Sequence, residues 1–192
     1  MPPLLLETIK IEEGKIHNLS YHQKRCDHTR KTLFNCTDTL SLIDSIIPPQ
    51  KGLYRCRILY AKTLHSVEYI PYVPKDIHAL KIVKSDIHYN FKYADRDMFT
   101  HLLTDNNDVD EILIEKDGYL TDTTIANIAF YAESVWYTPT TPLLKGTMRQ
   151  KLLDDGFLQE RNIKKEDLNQ YTQVALMNAM IGFKILNHFS IR

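Results

Sequence analysis

Two tight turns do most to constrain what this chain can fold into. Glu12-Glu13-Gly14-Lys15 separates an alternating apolar run, residues 4–11, from Ile16-His17-Asn18. Lys116-Asp117-Gly118 likewise separates residues 111–115 from Tyr119-Leu120-Thr121. An alternating run closed by so short a turn returns antiparallel, with one face of each strand buried. A third hairpin is expected from residues 53–61 and 66–72, and further strands at 80–83, 128–131, 135–137, 174–177 and 183–189. Helical spacing predicts helices at residues 20–34, 39–47, 95–103, 147–155 and 165–170. Asn18 or Ser20 would cap the first helix, Pro48-Pro49 would stop the second, and Gly156 would close the fourth. Strands mixed with segregated helices give an α+β chain. Pro71 and Pro74 interrupt the pattern, which predicts a small domain at residues 1–85 and a larger one at 86–192.

Lys+Arg and Asp+Glu both total 24, so the formal net charge is zero. A nucleic-acid binder carries a basic surplus, and none exists here. No run reaches the roughly 18 apolar residues that a membrane span needs. The opening Met1-Pro2-Pro3-Leu4-Leu5-Leu6 has no basic region and is too short for a signal peptide, so a cytoplasmic protein is expected. Cys26, Cys36 and Cys56 show no metal-ligand spacing and read as reduced thiols. The eight histidines form no zinc-helix pair, so no metal is expected.

Four segments could carry chemistry. Gly146-Thr147-Met148-Arg149 puts a glycine and a hydroxyl at a helix start, which fits either an anion site or an ordinary N-cap. Thr121-Asp122-Thr123-Thr124-Ile125-Ala126-Asn127 is polar between two apolar strands. It reads as a surface loop at a sheet end, with Asp122 a candidate partner for a buried cation. Lys92 lies between Phe91 and Tyr93; a dry setting would depress its pKa and supply a neutral amine, whereas a surface setting would leave it solvated. Arg55 and Arg57 share one face of a strand, suited to carboxylates or simply to water.

The order of the motifs says more than any one of them. Leu6-Glu7-Thr8 on a strand is followed by His22-Gln23-Lys24-Arg25 and by Lys92-Tyr93-Ala94-Asp95-Arg96. The Asp122 to Asn127 loop, Thr141-Pro142-Leu143-Leu144-Lys145-Gly146-Thr147-Met148-Arg149 and Asn178-Ala179-Met180 then complete the set. The chain resembles the class IV aminotransferases, the fold-type IV pyridoxal-phosphate enzymes, from about residue 6 to 180. The resemblance implies a two-domain fold like that of D-amino-acid aminotransferase, with a shortened N-terminal domain: the usual segment before the Glu-Thr strand, with its Gly-Asp-Gly turn, is not seen ahead of Leu6. It implies that Lys92 is the Schiff-base lysine and catalytic residue. Arg25, Asn127, Gly146, Thr147 and Asn178 fall among the cofactor-binding positions. Asp122 stands where the family usually has glutamate on the pyridine nitrogen. A homodimer acting on a small-molecule substrate is also implied.

Within that family, Met177-Asn178-Ala179-Met180-Ile181-Gly182 and Lys92-Tyr93-Ala94-Asp95-Arg96 look more like aminodeoxychorismate lyase than like a transaminase. The lyase form implies release of 4-aminobenzoate and pyruvate, a step in folate biosynthesis. Arg55, Arg57 and Thr8 are then the substrate-binding candidates. The alternatives are a class IV aminotransferase acting on branched-chain or D-amino acids, and a cofactor-binding protein without catalysis.

Overall fold

The computed structural model describes residues 2–192. The chain divides into two compact units. The first comprises the residues up to Pro74 together with Phe91–Asp95; the second comprises Lys75–Asn90 and Arg96–Arg192.

The first unit is a four-stranded antiparallel sheet with a helical layer on one face. Its strands are β1 (Leu5–Glu12), β2 (Lys15–Ile16), β3 (Leu53–Tyr60) and β4 (Leu64–Pro71), in the order β2-β1-β3-β4. Between them lie α1 (Leu19–Phe34) and α2 (Leu42–Ser45). Alternation decides the faces: Leu5, Ile9 and Ile11 of β1 meet Cys56, Ile58 and Tyr60 of β3, and Cys26 and Leu42 close the core. Each large apolar side chain buried there is worth about 1.5–3 kcal/mol. Phe91–Asp95 joins the same sheet, because Leu6 N donates to Lys92 O (2.9 Å) and Ala94 N to Leu4 O (2.8 Å).

The second unit opens with β5 (Ala79–Lys84), α3 (Asp97–Thr104), β6 (Glu111–Lys116), β7 (Tyr119–Thr123), β8 (Asn127–Ala132) and β9 (Val135–Pro139). Then come α4 (Thr147–Asp154), β10 (Leu158–Arg161), a short 3-10 helix at Lys165–Gln170, β11 (Gln173–Asn178), β12 (Gly182–Ile185) and β13 (Ser190–Ile191). The main path of its sheet runs β10-β9-β8-β7-β6-β5-β13, and β11 pairs with β8 and β12. The hairpins are antiparallel, whereas β5–β6 and β9–β10 are parallel. The helices α3 and α4 supply those two crossovers, as parallel pairing requires. Val174 and Leu176 of β11 pack with Ile128 and Phe130 of β8 in the main core.

The structure corrects several sequence expectations. The helix expected at 39–47 shrinks to four residues, since Ile46 is already extended. Asn18 sits at the start of α1 in a left-handed conformation (φ 52°), and its side chain makes no capping bond. The strand expected at 183–189 stops at Ile185. Strand β10 was not anticipated at all. Thr121, Asp122 and Thr123 are not surface loop but a buried strand end; only the turn at 124–126 separates β7 from β8. No helix among the described residues is long and apolar enough to cross a membrane.

Candidate active site

Two of the expected site residues, Lys92 and Arg25, belong to the first unit. The backbone of Lys92 is fastened beside Leu6, and the next residue of β1 is Glu7. Glu7 occupies the inward row of β1, between Leu5 and Ile9, and is 0% exposed. Arg25 of α1 forks onto it, Nε donating to Oε1 (2.8 Å) and Nη2 to Oε2 (2.5 Å). His22 Nδ1 lies 2.6 Å from the same Oε2. Burial alone would push the Glu7 carboxyl up; the charge of Arg25 and the bonds from His22 and Arg25 outweigh it and hold the group at about 2. Burial pushes His22 down, against the pull of Glu7. Glu7 is therefore the anion, and a neutral His22 donates to it. Lys92 is close enough to depress His22 further.

The substrate candidates share the other face of this sheet. Thr8 is registered opposite Arg57, and Lys10 opposite Arg55. Arg57 is paired across to Glu68 of β4 (3.1 Å). Arg55 Nε is buried with no protein acceptor.

The second unit gathers a separate group. Asp122, at the end of β7, is opposite Asn127, at the start of β8. Its Oδ1 accepts from Asn127 Nδ2 (2.7 Å) and its Oδ2 from Leu144 N (2.9 Å). Asn127 Nδ2 also donates to Leu144 O (2.9 Å). Burial pushes the Asp122 carboxyl up to about 6, against the Leu144 amide, the Asn127 carboxamide and the charge of Arg149. Gly146, not Thr147, takes the cap position of α4, and Thr147 is its first helical residue, buried. A Cβ at Gly146 would stand 2.0 Å from Asn127 Oδ1, so only glycine lets the helix start so near this carboxamide. Asn178 accepts from Met180 N (2.9 Å) and Ile181 N (3.0 Å) and donates to Ile125 O (3.1 Å). It thereby holds the turn that follows Asp122.

Four further residues of the motifs, Glu7, His22, Arg96 and Arg149, hold the site together, and the sequence alone assigns them no role. Glu7 and His22 stand behind Arg25. Arg96 donates to Thr124 O (2.6 Å) while its guanidinium lies over the Phe99 ring at 4.9 Å. Arg149, 2% exposed, ties α4 to Pro139 O (2.9 Å) and Glu160 Oε1 (2.6 Å). One signal was available in the sequence: an acid at an inward position of an otherwise apolar alternating strand must have a buried partner.

The family model for class IV amino-transferases matches residues 4–185. The chain belongs to the class IV aminotransferase family. Class IV proteins bind pyridoxal phosphate. A protein of undescribed function from Haemophilus influenzae (strain ATCC 51907 / DSM 11121 / KW20 / Rd) is 38% identical over 184 residues, covering 93% of this chain and 98% of that one. A crystal structure from Haemophilus somnus 129PT, provisionally named a 4-amino-4-deoxychorismate lyase, is 36% identical. It covers 95% of this chain and 98% of its own, with a TM-score of 0.83. A Mesorhizobium loti structure, provisionally named an amino-acid aminotransferase, shares the class IV fold at 21% identity, 98% and 99% coverage and a TM-score of 0.82. The fold-type IV, α+β architecture expected from the sequence is thus the observed one.

The residues of this chain fit the family's cofactor chemically. The first turn of α4 offers backbone amides and a helix dipole to a phosphate, behind a glycine that keeps the approach open. Arg25 is a guanidinium whose plane is already fixed. Asp122 is a buried carboxylate able to accept from a pyridinium N–H.

Proposed function

We propose that this chain is a pyridoxal-phosphate-dependent lyase that converts 4-amino-4-deoxychorismate into 4-aminobenzoate and pyruvate. The observation that carries this reading is the likeness, over nearly the full length of both chains, to the Haemophilus somnus protein. The segments Met177-Asn178-Ala179-Met180-Ile181-Gly182 and Lys92-Tyr93-Ala94-Asp95-Arg96, which look more like the lyase than a transaminase, support it.

When bound, the cofactor supplies an electron sink conjugated to the substrate nitrogen. Lys92 would be its attachment point and, with its Nζ freed by the incoming substrate amine, the base. Its Nζ takes the proton from the carbon that bears the substrate's amine. The bond between the neighbouring ring carbon and the ether oxygen then breaks, its electron pair leaving with enolpyruvate; the ring becomes aromatic, and enolpyruvate takes up a proton to become pyruvate. Asp122 would accept from the ring's protonated N–H, with Asn127 and the Leu144 amide fixing its carboxylate. Arg25 on the first unit, and Thr147 with the first-turn amides of α4 after Gly146 on the second, would each be phosphate-binding groups. Asn178 keeps the turn behind Asp122 in place. Arg55, Arg57 and Thr8 would receive the substrate's carboxylates; Arg57, registered opposite Thr8, is the stronger of the two arginines. A homodimer is the expected assembly.

The test is a product assay on purified protein supplied with pyridoxal phosphate. Equal amounts of 4-aminobenzoate and pyruvate from 4-amino-4-deoxychorismate are expected. Keto-acid formation from branched-chain or D-amino acids, with no pyruvate from the chorismate derivative, would establish the transaminase instead. Borohydride reduction and peptide mapping should place the pyridoxyl group on Lys92. A label on another lysine, with Lys92→Ala still coloured, sinks the assignment.

A further inference from the structure

Glu7 is an expensive residue to keep where it is. Its row on β1 is otherwise Leu5, Ile9 and Ile11, all fully buried. Replacing a buried ion pair by apolar groups of similar size is often neutral or stabilising, so cohesion alone gives little reason for one. The three groups are also graded in exposure. The side chains of Glu7 and His22 are 0% exposed, whereas that of Arg25 is 15% exposed. His22 and Arg25 are three residues apart on α1, hence on one face of it. The order from inside to outside is His22 and Glu7, then the guanidinium.

The fork occupies Nε and one edge of Nη2. Two parallel bonds to one carboxylate fix both the plane and the rotation of a guanidinium, which a single bond does not. The Nη1 edge is thereby aimed away from Glu7. His22 adds a third bond to the Glu7 carboxylate, on the same Oε2 that accepts from Nη2, and so braces the anion. The same stretch of β1 also registers Lys92, through Leu6 N to Lys92 O. Two adjacent residues of one strand thus set both the lysine and the arginine.

We propose that Glu7 and His22 are positioning residues for phosphate recognition: Glu7 fixes the guanidinium of Arg25, and His22 fixes Glu7. The proposal rests on the reading of Arg25 as a ligand of the cofactor's phosphate. Neither residue touches cofactor or substrate in this assignment; both act through Arg25.

The experiment compares pyridoxal 5'-phosphate with pyridoxal, which lacks the phosphate. Each is titrated into wild-type protein, His22→Leu, His22→Asn and Glu7→Gln, and the visible absorbance band is read. Wild-type protein should favour the phosphate ester strongly. His22→Leu removes the donor to Glu7 and should weaken binding of the ester about ten- to a hundredfold, the worth of a hydrogen bond to a charged group. Its affinity for pyridoxal should stay near wild type. His22→Asn offers an amide N–H near the position of Nδ1 and should restore most of the loss. Glu7→Gln should behave like His22→Leu, more severely; if it does not fold, the His22 pair carries the test alone.

Equal weakening toward both compounds would mean general damage and would overturn the positioning role. So would His22→Leu binding the ester as wild type does. Failure of the underlying reading looks different: wild-type protein itself would take pyridoxal and its phosphate equally well, or neither, and the proposal would fall with it.

Discussion

Two buried carboxylates, one in each unit, have their acidities shifted in opposite directions. Glu7 and Asp122 are 0% and 4% exposed, so both lose nearly all hydration. Glu7 is held at about 2 and Asp122 is pushed up to about 6. The difference is the character of their partners. Glu7 receives a forked guanidinium, whose charge outweighs desolvation. Asp122 receives a carboxamide and one backbone amide, which are neutral dipoles, with the charge of Arg149 spent mainly on Pro139 and Glu160. Burial alone therefore does not tell what a carboxylate is for. A forked cation makes a permanent anion that fixes geometry; neutral donors leave a group able to exchange a proton near neutrality. The charge of the second kind depends on what is placed beside it, and a neighbouring cation would hold it ionised.

The comparison breaks most readily at Glu7. Glu7→Gln leaves the largely buried guanidinium of Arg25 without its counter-charge and should lower stability by about 3–5 kcal/mol. Urea denaturation at pH 7 measures it, and a loss below about 1 kcal/mol would show that the pair is not what holds α1 to β1. Asp122→Asn should act on rate instead, lowering turnover about 10²–10³-fold while the protein still takes up cofactor. Asp122→Glu should also be slower than wild type, because both oxygens already have seats on Leu144 and Asn127 and an added methylene must vacate one. Full turnover in the asparagine variant would remove Asp122 from the chemistry.

Next in size is Gly146→Ala. Its methyl would stand 2.0 Å from Asn127 Oδ1, and the displaced carboxamide would take Asp122 with it. A stability loss of about 1–3 kcal/mol is expected, together with weaker cofactor uptake by absorbance titration. Stability against pH then separates the two carboxylates by sign. The folded-state pKa of Glu7 lies below its ordinary 4.5, so its contribution is present above that value and lost as pH falls toward about 2. That of Asp122 is raised from 3.8 to about 6, so its contribution is present below about pH 4 and lost as pH rises through 6. Glu7→Gln should abolish the acid-side slope and Asp122→Asn the one near pH 5. Arg57→Gln is the smallest: its partner Glu68 is exposed. Stability should change by less than about 1 kcal/mol, and any effect should fall on KM for the substrate.

The sequence showed the hairpins, the four helical regions that became α1, α3, α4 and the 3-10 turn, and the glycine before α4. Their signals are local: alternation, helical spacing, a turn residue. What it hid depended on distant partners. The residues around Asp122 read as a surface loop because they are polar, yet Thr121 Oγ1 donates to Ile114 O (2.9 Å) and Thr123 Oγ1 accepts from Ala126 N (3.0 Å). Polarity satisfied internally is indistinguishable, in one sequence, from polarity satisfied by water. Strand β10 escaped because Gln159, Glu160 and Arg161 present no apolar alternation and only the parallel register with β9 defines them as a strand. Arg25 was legible by its motif, whereas Glu7 and His22 become meaningful only once α1 is laid on β1.

The chain leaves the first unit at Pro74, builds β5 elsewhere, and comes back for five residues before leaving again at Arg96. Those five residues carry Lys92, sewn to β1 through Leu4 and Leu6. During synthesis, then, the amino-terminal sheet must stay unfinished until residue 95 has cleared the ribosome, though its other strands are complete some twenty residues earlier. No single cut in the gene separates the two bodies without stranding that segment on the wrong side. A fragment ending at residue 85 would keep the arginine and lose the lysine, and its opening strand would keep an unzipped edge. The reacting amine belongs to its unit by hydrogen bonding rather than by position in the message, and any attempt to shuffle, permute or split this protein has to move residues 91–95 along with the first 74.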